Sequence, residues 1–120
     1  DRNLSRGLGD VYKRQMELRK IELTNEILTL QIDGNLDADG SRYAQQHIDE
    51  IIADQHGEVE IDFRNVRFLD SSGVGALVYL YKRLVERERQ MRIENVTGQP
   101  LEIINLLRID KAIPVNSRTH

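Results

Sequence analysis

The stretch Val59-Glu60-Ile61-Asp62-Phe63-Arg64-Asn65-Val66-Arg67-Phe68-Leu69-Asp70-Ser71-Ser72-Gly73-Val74-Gly75-Ala76-Leu77 decides how this chain is read. It opens on strict alternation. Val59, Ile61 and Phe63 are apolar, whereas Glu58, Glu60 and Asp62 are polar. That is the period of a strand with one buried face. Asn65 to Leu69 leads into Asp70-Ser71-Ser72-Gly73, and from Ser72 to about Glu88 the period changes. Val74, Leu77, Val78, Tyr81, Leu84 and Val85 recur at i, i+3 and i+4, which predicts a helix. Ala76 and Leu80 add apolar surface on a neighbouring face. A surface this broad implies either deep burial or a core face beside a partner-facing one.

Working outward, the same alternation of strand and helix continues. Met16 to Thr24 and Ile27 to Gly34 read as two strands, the second with Leu28, Leu30 and Ile32 on one face. Thr24-Asn25-Glu26 joins them as a hairpin turn, and Gly34-Asn35-Leu36-Asp37 ends the hairpin. Ala44, Ile48, Ile51 and Ile52 then form one helical stripe. Asp37, Asp39 and Ser41 are candidate N-caps, and Gly57 is placed to stop that helix in a left-handed conformation. Downstream, Met91 to Val96 reads as a fourth strand and Thr97-Gly98-Gln99 as a turn. Pro100 suits the first turn of a short helix lined by Leu101, Ile104 and Leu107. Ile113 and Val115 read as a last edge strand, because Pro114 argues against a central place, and Ser117 to His120 as a frayed end. The order β-β-α-β-α-β-α calls for parallel pairing through right-handed crossovers, with an antiparallel pair at the start. The expected class is α/β: a mixed β-sheet of about four to five strands with helices packed over it.

Length and composition narrow the function. A chain of 120 residues is one domain's worth. Without cysteine it has neither disulfides nor thiolate metal sites, which suits a reducing compartment. No apolar run approaches the ~20 residues of a membrane span, and no secretory signal is visible. We therefore expect a cytoplasmic protein with no direct membrane insertion. Residues 1–15 lack apolar periodicity, and Asp10-Val11-Tyr12-Lys13-Arg14-Gln15 can be translated from GATGTGTATAAGAGACAG, which resembles a transposon end used as a sequencing adapter. They are read as a non-native or disordered N-terminal tail, with Met16 as the start of a single domain over 16–120. That tail has two more basic than acidic side chains, so against a whole-chain charge of −3 the remaining domain stands at −5. An acidic domain is a poor partner for nucleic acid.

The chemistry lies in Asp70-Ser71-Ser72-Gly73. At a helix start the first N–H groups lack internal partners and the dipole leaves partial positive charge. Asp and Ser cap such donors, and capping alone is the commonest reason for their presence there. A phosphate on a serine at this position is also well placed. It would set about −1.5 to −2 charges beside an apolar helix face. A bare serine would then permit docking of a partner and phosphoserine would forbid it. Gly73 and Gly75 would let a partner's backbone approach closely.

Other chemistries find little support. His47, His56 and His120 have no metal-ligand spacing. No Gly-x-Ser-x-Gly elbow supports Ser71 or Ser72 as a hydrolase nucleophile. Gly73-Val74-Gly75 is a dinucleotide-loop fragment without its third glycine. The charges from Lys82 to Arg92 read as a solvated helix end, and Tyr79 and Tyr81 as partner anchors or boundary packing. No metal, cofactor or catalytic residue is expected.

The stretch quoted at the outset resembles the signature region of STAS domains, in particular the bacterial anti-sigma factor antagonists. Gly34-Asn35-Leu36-Asp37 is similar to the Gly-x-Leu-Asp of that family, although Asn35 replaces its common acidic residue, and Gly98-Gln99-Pro100-Leu101 through Asp110 resembles its last-helix region. The resemblance implies the STAS fold and a binding module, not an enzyme. It implies Ser71 as the phosphoacceptor, with Ser72 a cap. Asp37, Asp70, Ser71, Ser72, Gly73, Val74 and Gly75 form the implied partner-binding surface. The implied partners are an anti-sigma factor serine kinase, sequestered while Ser71 is unphosphorylated, and a PP2C-type phosphatase. The alternative is a STAS subunit docked permanently on an ABC-type lipid transporter ATPase or another membrane transport complex.

Overall fold

The computed structural model describes residues 16–117; the readings made for residues 1–15 and for 118–120 lie outside the described residues. The elements are β1 (Met16–Glu22), β2 (Ile27–Leu36), α1 (Ala38–Ala53), β3 (Glu58–Leu69), α2 (Ser71–Glu86), β4 (Gln90–Glu94), α3 (Gly98–Leu106) and a 3-10 turn (Ile109–Lys111). The four strands form one sheet in the order β1-β2-β3-β4. β1 runs antiparallel to β2, while β2–β3 and β3–β4 are parallel. Between β1 and β2 the Thr24 hydroxyl accepts from the N–H groups of Glu26 and Ile27, both at 3.0 Å, which closes the polar turn locally.

Two successive right-handed crossovers that advance in one direction across a sheet must lie on the same face. α1 and α2 accordingly pack against each other and bury the sheet face carrying Leu28, Leu30, Ile32, Val59, Ile61, Phe63, Met91 and Ile93. Ala44, Ile48, Ile51 and Ile52 of α1 meet that face, as the stripe predicted. On α2 the inward set is Gly73, Val74, Leu77, Leu80 and Leu84. Leu80, expected on a neighbouring face, is core, whereas Val85 is exposed. The helix rotates a little from the expected stripe because Leu80 and Leu84 fill the sheet's centre.

β1 ends at Glu22 rather than Thr24 and β4 runs from Gln90 to Glu94 rather than to Val96, and three strand limits differ further. β2 does not stop at Gly34: it continues to Leu36, pairing with Val66, Phe68 and Leu69 of β3. β3 likewise runs on to Leu69 rather than ending near Phe63. Gln31 faces Asp62 but Asp33 faces Asn65, and Gly34 faces Val66 but Asn35 faces Phe68. At each step β3 spends one residue more than β2, so two bulges break its alternation and hide the strand's second half from a period-two reading. At the other end of the sequence, the last strand shrinks to a single parallel bridge between Ile93 and Val115.

The ends of the helices also depart from expectation. Of the three candidate caps for α1, Asp37 is the one used. Gly57 is not among the residues with positive φ and does not stop the helix. The Asp54 N–H bonds back to Glu50 and Ile51, and Arg89 closes the end from across the fold. Its Nη2 and Nη1 donate to the carbonyls of Ile51 and Ile52, each at 2.9 Å, and its Nε donates to that of His56 at 2.6 Å. The charge pattern places Arg89 in a solvated helix end, yet it is buried. Burial lowers its pKa; Asp54 opposes that shift and Arg87 adds to it. In α3, Ile104 is buried and Leu101 partly so, but Leu107 stands exposed just past the helix.

Candidate functional site

The site is built where two parallel strands end together. Leu36 and Leu69 are register partners in β2 and β3, and each is followed at once by an aspartate that caps the next helix. The Asp37 Oδ1 accepts from the N–H of Gly40 at 2.9 Å, and the Asp70 Oδ1 from that of Gly73 at 3.1 Å. Both caps have extended backbone, as an N-cap requires. The sequence thus writes Leu-Asp-x-x-Gly twice, as Leu36-Asp37-Ala38-Asp39-Gly40 and Leu69-Asp70-Ser71-Ser72-Gly73. The repetition has a geometric cause, since each time a strand must turn into a helix against its neighbour. A further bond from the Asp70 N–H to the Leu36 carbonyl, 3.3 Å long, ties the two turns together. Crevices outside the carboxyl ends of parallel strands are the usual binding places of open α/β sheets.

The seven expected surface residues divide. Ser71, Ser72 and Gly75 are exposed, and Asp37 and Asp70 are half-buried. Gly73 and Val74 turn inward and hold α2 to the sheet. They lie behind the surface rather than on it. Ser71 and Ser72 are the first two residues of α2, where main-chain N–H groups point to solvent. Neither hydroxyl makes the N-terminal cap bond, which belongs to Asp70. Gly75 follows on the outer side, where a Cβ would meet nothing within 4 Å beyond its chain neighbours and the backbone of its own helix. Phe68 (41% exposed) lies just before the turn and Tyr79 (40%) further along α2, its ring under Arg83 at 5.7 Å. Exposed aromatic side chains thus stand before the turn and, more than two helical turns on, along α2.

The sequence pattern makes Gln99 part of a turn, and the structure gives it a partner that no local pattern reveals. Its Nε2 donates to the Leu69 carbonyl at 2.8 Å, and its Oε1 accepts from the Leu69 N–H at 2.9 Å. Asn116 makes the same pair of bonds with Val96, at 3.0 and 2.9 Å. A primary amide can answer both groups of a peptide residue, as a neighbouring strand does. The sequence offers only the weak hint that an amide stands before Pro100, at a helix start.

Among the described residues no base makes a hydrogen bond to the hydroxyl of either serine. Among the described residues no group of three or more His, Cys, Asp or Glu side chains is placed to hold a metal ion. His56 bonds instead to Glu22, at 3.1 Å. No helix among the described residues is long and apolar enough to cross a membrane.

Comparison with known proteins gives these observations a family context. The family model described as STAS domain matches residues 19–120. An anti-sigma F factor antagonist of Paenibacillus polymyxa is 24% identical over 90 residues, which span 74% of this chain and 77% of that protein. The crystal structure of an anti-sigma factor antagonist from Mycobacterium paratuberculosis is similar with a TM-score of 0.74 and 20% identity, covering 86% of each chain. The anti-sigma factor antagonist SpoIIAA in its unphosphorylated form is similar with a TM-score of 0.72 and 17% identity, over 82% of this chain and 87% of that one. At these identities the structural likenesses establish the fold.

Proposed function

Because the chain belongs to the STAS domain family, we propose that it is an anti-sigma factor antagonist, a binding module whose docking is switched by phosphorylation of Ser71. The observation that carries this reading is the exposed pair Ser71-Ser72 at the start of α2, on a turn already capped by Asp70. Since the cap bond belongs to Asp70, the Ser71 hydroxyl can be modified without unmaking the turn. A phosphate there would be stabilised by the free N–H groups of the first turn and would bring about −1.5 to −2 charges to the border of Phe68 and Gly75. A partner covering that border would have to desolvate this charge beside Asp70, and binding would fail. The likeness to anti-sigma factor antagonists supports a serine-kinase anti-sigma factor as that partner and a PP2C-type phosphatase as the enzyme that resets the switch. ATP would belong to the kinase, and this chain would need no cofactor.

The test is to incubate the full chain with the serine-kinase anti-sigma factor encoded nearest to it and ATP, and to follow intact mass. One phosphate should be added to wild type and to Ser72→Ala, and none to Ser71→Ala. Calorimetric titration should show that the phosphorylated chain binds the kinase roughly tenfold or more weakly. Equal phosphorylation of Ser71→Ala would refute the assignment. Stable binding to a transporter ATPase, indifferent to phosphate, would refute the switch.

A further inference from the structure

Gln99 takes no part in the switch as described, and its geometry calls for a reason. We propose that Gln99 is the positioning residue of the phosphoacceptor turn: its carboxamide fixes the direction in which Asp70 and Ser71 leave the sheet. The consequence for Ser71 rests on the reading of that serine as the acceptor; the latch itself does not.

Beside the end of β3 a strand is missing. β3 extends to Leu69, but β4 pairs with it only from Glu58 to Asp62. At Leu69 the sheet therefore has no neighbour on the β4 side. Gln99, in the first turn of α3, supplies one: a single amide takes both the N–H and the carbonyl of Leu69, at 2.9 and 2.8 Å. On the other side Leu36 is paired with Leu69 in register and its carbonyl accepts from the Asp70 N–H. The Leu69 side chain is fully buried. Leu69 is thus held on both edges, two residues before Ser71. Gln99 is only half-buried, so water can replace its bonds when it is removed. Its loss should therefore loosen the turn rather than unfold the domain.

The two bonds demand one donor and one acceptor from residue 99. Leucine offers neither. Ionised glutamate accepts from the N–H but turns a second acceptor toward the Leu69 carbonyl, and protonation restores the donor. A Gln99→Glu protein should therefore recover the latch in acid, which a merely space-filling role would not do.

The experiment uses the isotope-labelled full chain and needs no partner. By NMR, Gln99→Leu should speed exchange of the Leu69 amide about tenfold, as expected for a lost pair of half-buried hydrogen bonds. Exchange at Ile61, in the centre of the sheet, should stay unchanged. The amide signals of Ser71, Ser72 and Gly73 should move. In Gln99→Glu they should be displaced at neutral pH and return toward wild type at about pH 4, near the ordinary glutamate value, with wild type at each pH as reference. If Gln99→Leu fails to fold, the pH series of Gln99→Glu decides alone. Unchanged Leu69 exchange, or a Gln99→Glu protein no more pH-responsive than wild type, overturns the proposal. With the kinase, Gln99→Leu should be phosphorylated about tenfold more slowly. An unchanged rate would overturn the link to Ser71. A wild-type chain that no kinase modifies would count against the function proposed above and leave the NMR result standing.

Discussion

The main-chain carbonyl of Leu36 occupies the space that a side chain on Gly73 would need. A Cβ built there would also stand 2.9 Å from the Leu36 Cγ and 2.6 Å from the Leu69 Cδ1. Gly40 meets the carbonyl of Asn35 in the same way. Each helix can begin this close to the sheet only because its third residue has no side chain. Gly73→Ala should therefore force α2 away from β2 and cost about 1–3 kcal/mol, the range for overpacking a filled interior. Urea unfolding followed by circular dichroism measures it. A cost below about 0.5 kcal/mol, the size of an ordinary surface substitution, would mean that the turn yields freely.

The paired caps give a second expectation. Asp37→Ala and Asp70→Ala should each lower stability by about 1 kcal/mol, the usual worth of an N-cap. For a domain of this size that corresponds to a fall in Tm of about 4–8 °C. Asn at either position keeps the accepting oxygen and should recover most of the loss. If Asn fares no better than Ala, the carboxylate charge at the helix start, and not the cap bond, carries the effect.

Arg89 stabilises by closing α1 from a distance. Arg89→Met should cost about 3 kcal/mol, since three carbonyls lose their donor at a buried helix end. Arg89→Lys should recover only part, because an ammonium cannot reproduce the planar fork. Burial holds the folded guanidinium below its ordinary value. A base so shifted binds its proton more tightly when unfolded, and stability rises with pH only between the two values, in strongly alkaline solution. Between about pH 6 and 8 the guanidinium is charged in both states. The difference between wild type and Arg89→Met should be flat there when thermal melts are compared, and a slope would place a second titrating group in the same network.

What could be read from the sequence follows from what is local. The hairpin turn at Thr24, the stripe through Ile48, Ile51 and Ile52, and the strand from Val59 to Phe63 are patterns of neighbouring residues, and each is present. The second half of β3 was hidden because two bulges destroy the period that reveals a strand. Leu80 and Val85 exchanged roles because one helical turn of apolar residues fits more than one rotation, and the shape of the sheet chooses among them. Gln99 and Arg89 act on main-chain groups 30 or more residues away. Backbone carbonyls carry no residue identity, so no sequence pattern marks such partners. Gly57 resembles a helix stop for want of Arg89, which does that work from the connection between α2 and β4.

Gly75 separates the fold from the surface. It lies two residues beyond Gly73 in the same helix, yet a Cβ there would meet nothing within 4 Å beyond its chain neighbours and its own helix backbone. Alanine in an exposed helix interior is favoured over glycine by about 0.8–1 kcal/mol, so Gly75→Ala should raise stability by up to that amount. If the exposed side of α2 is where a partner's backbone approaches, the added methyl should at the same time weaken binding, by about tenfold for one poorly accommodated group. Stability and affinity would then move in opposite directions in one protein, which no general loosening of the fold can produce. Gly73→Ala, by contrast, should lose both. The measurement is a pair of urea melts and titrations against the kinase for the two variants. A Gly75→Ala protein that is more stable and binds as tightly as wild type would move the docking surface away from the start of α2.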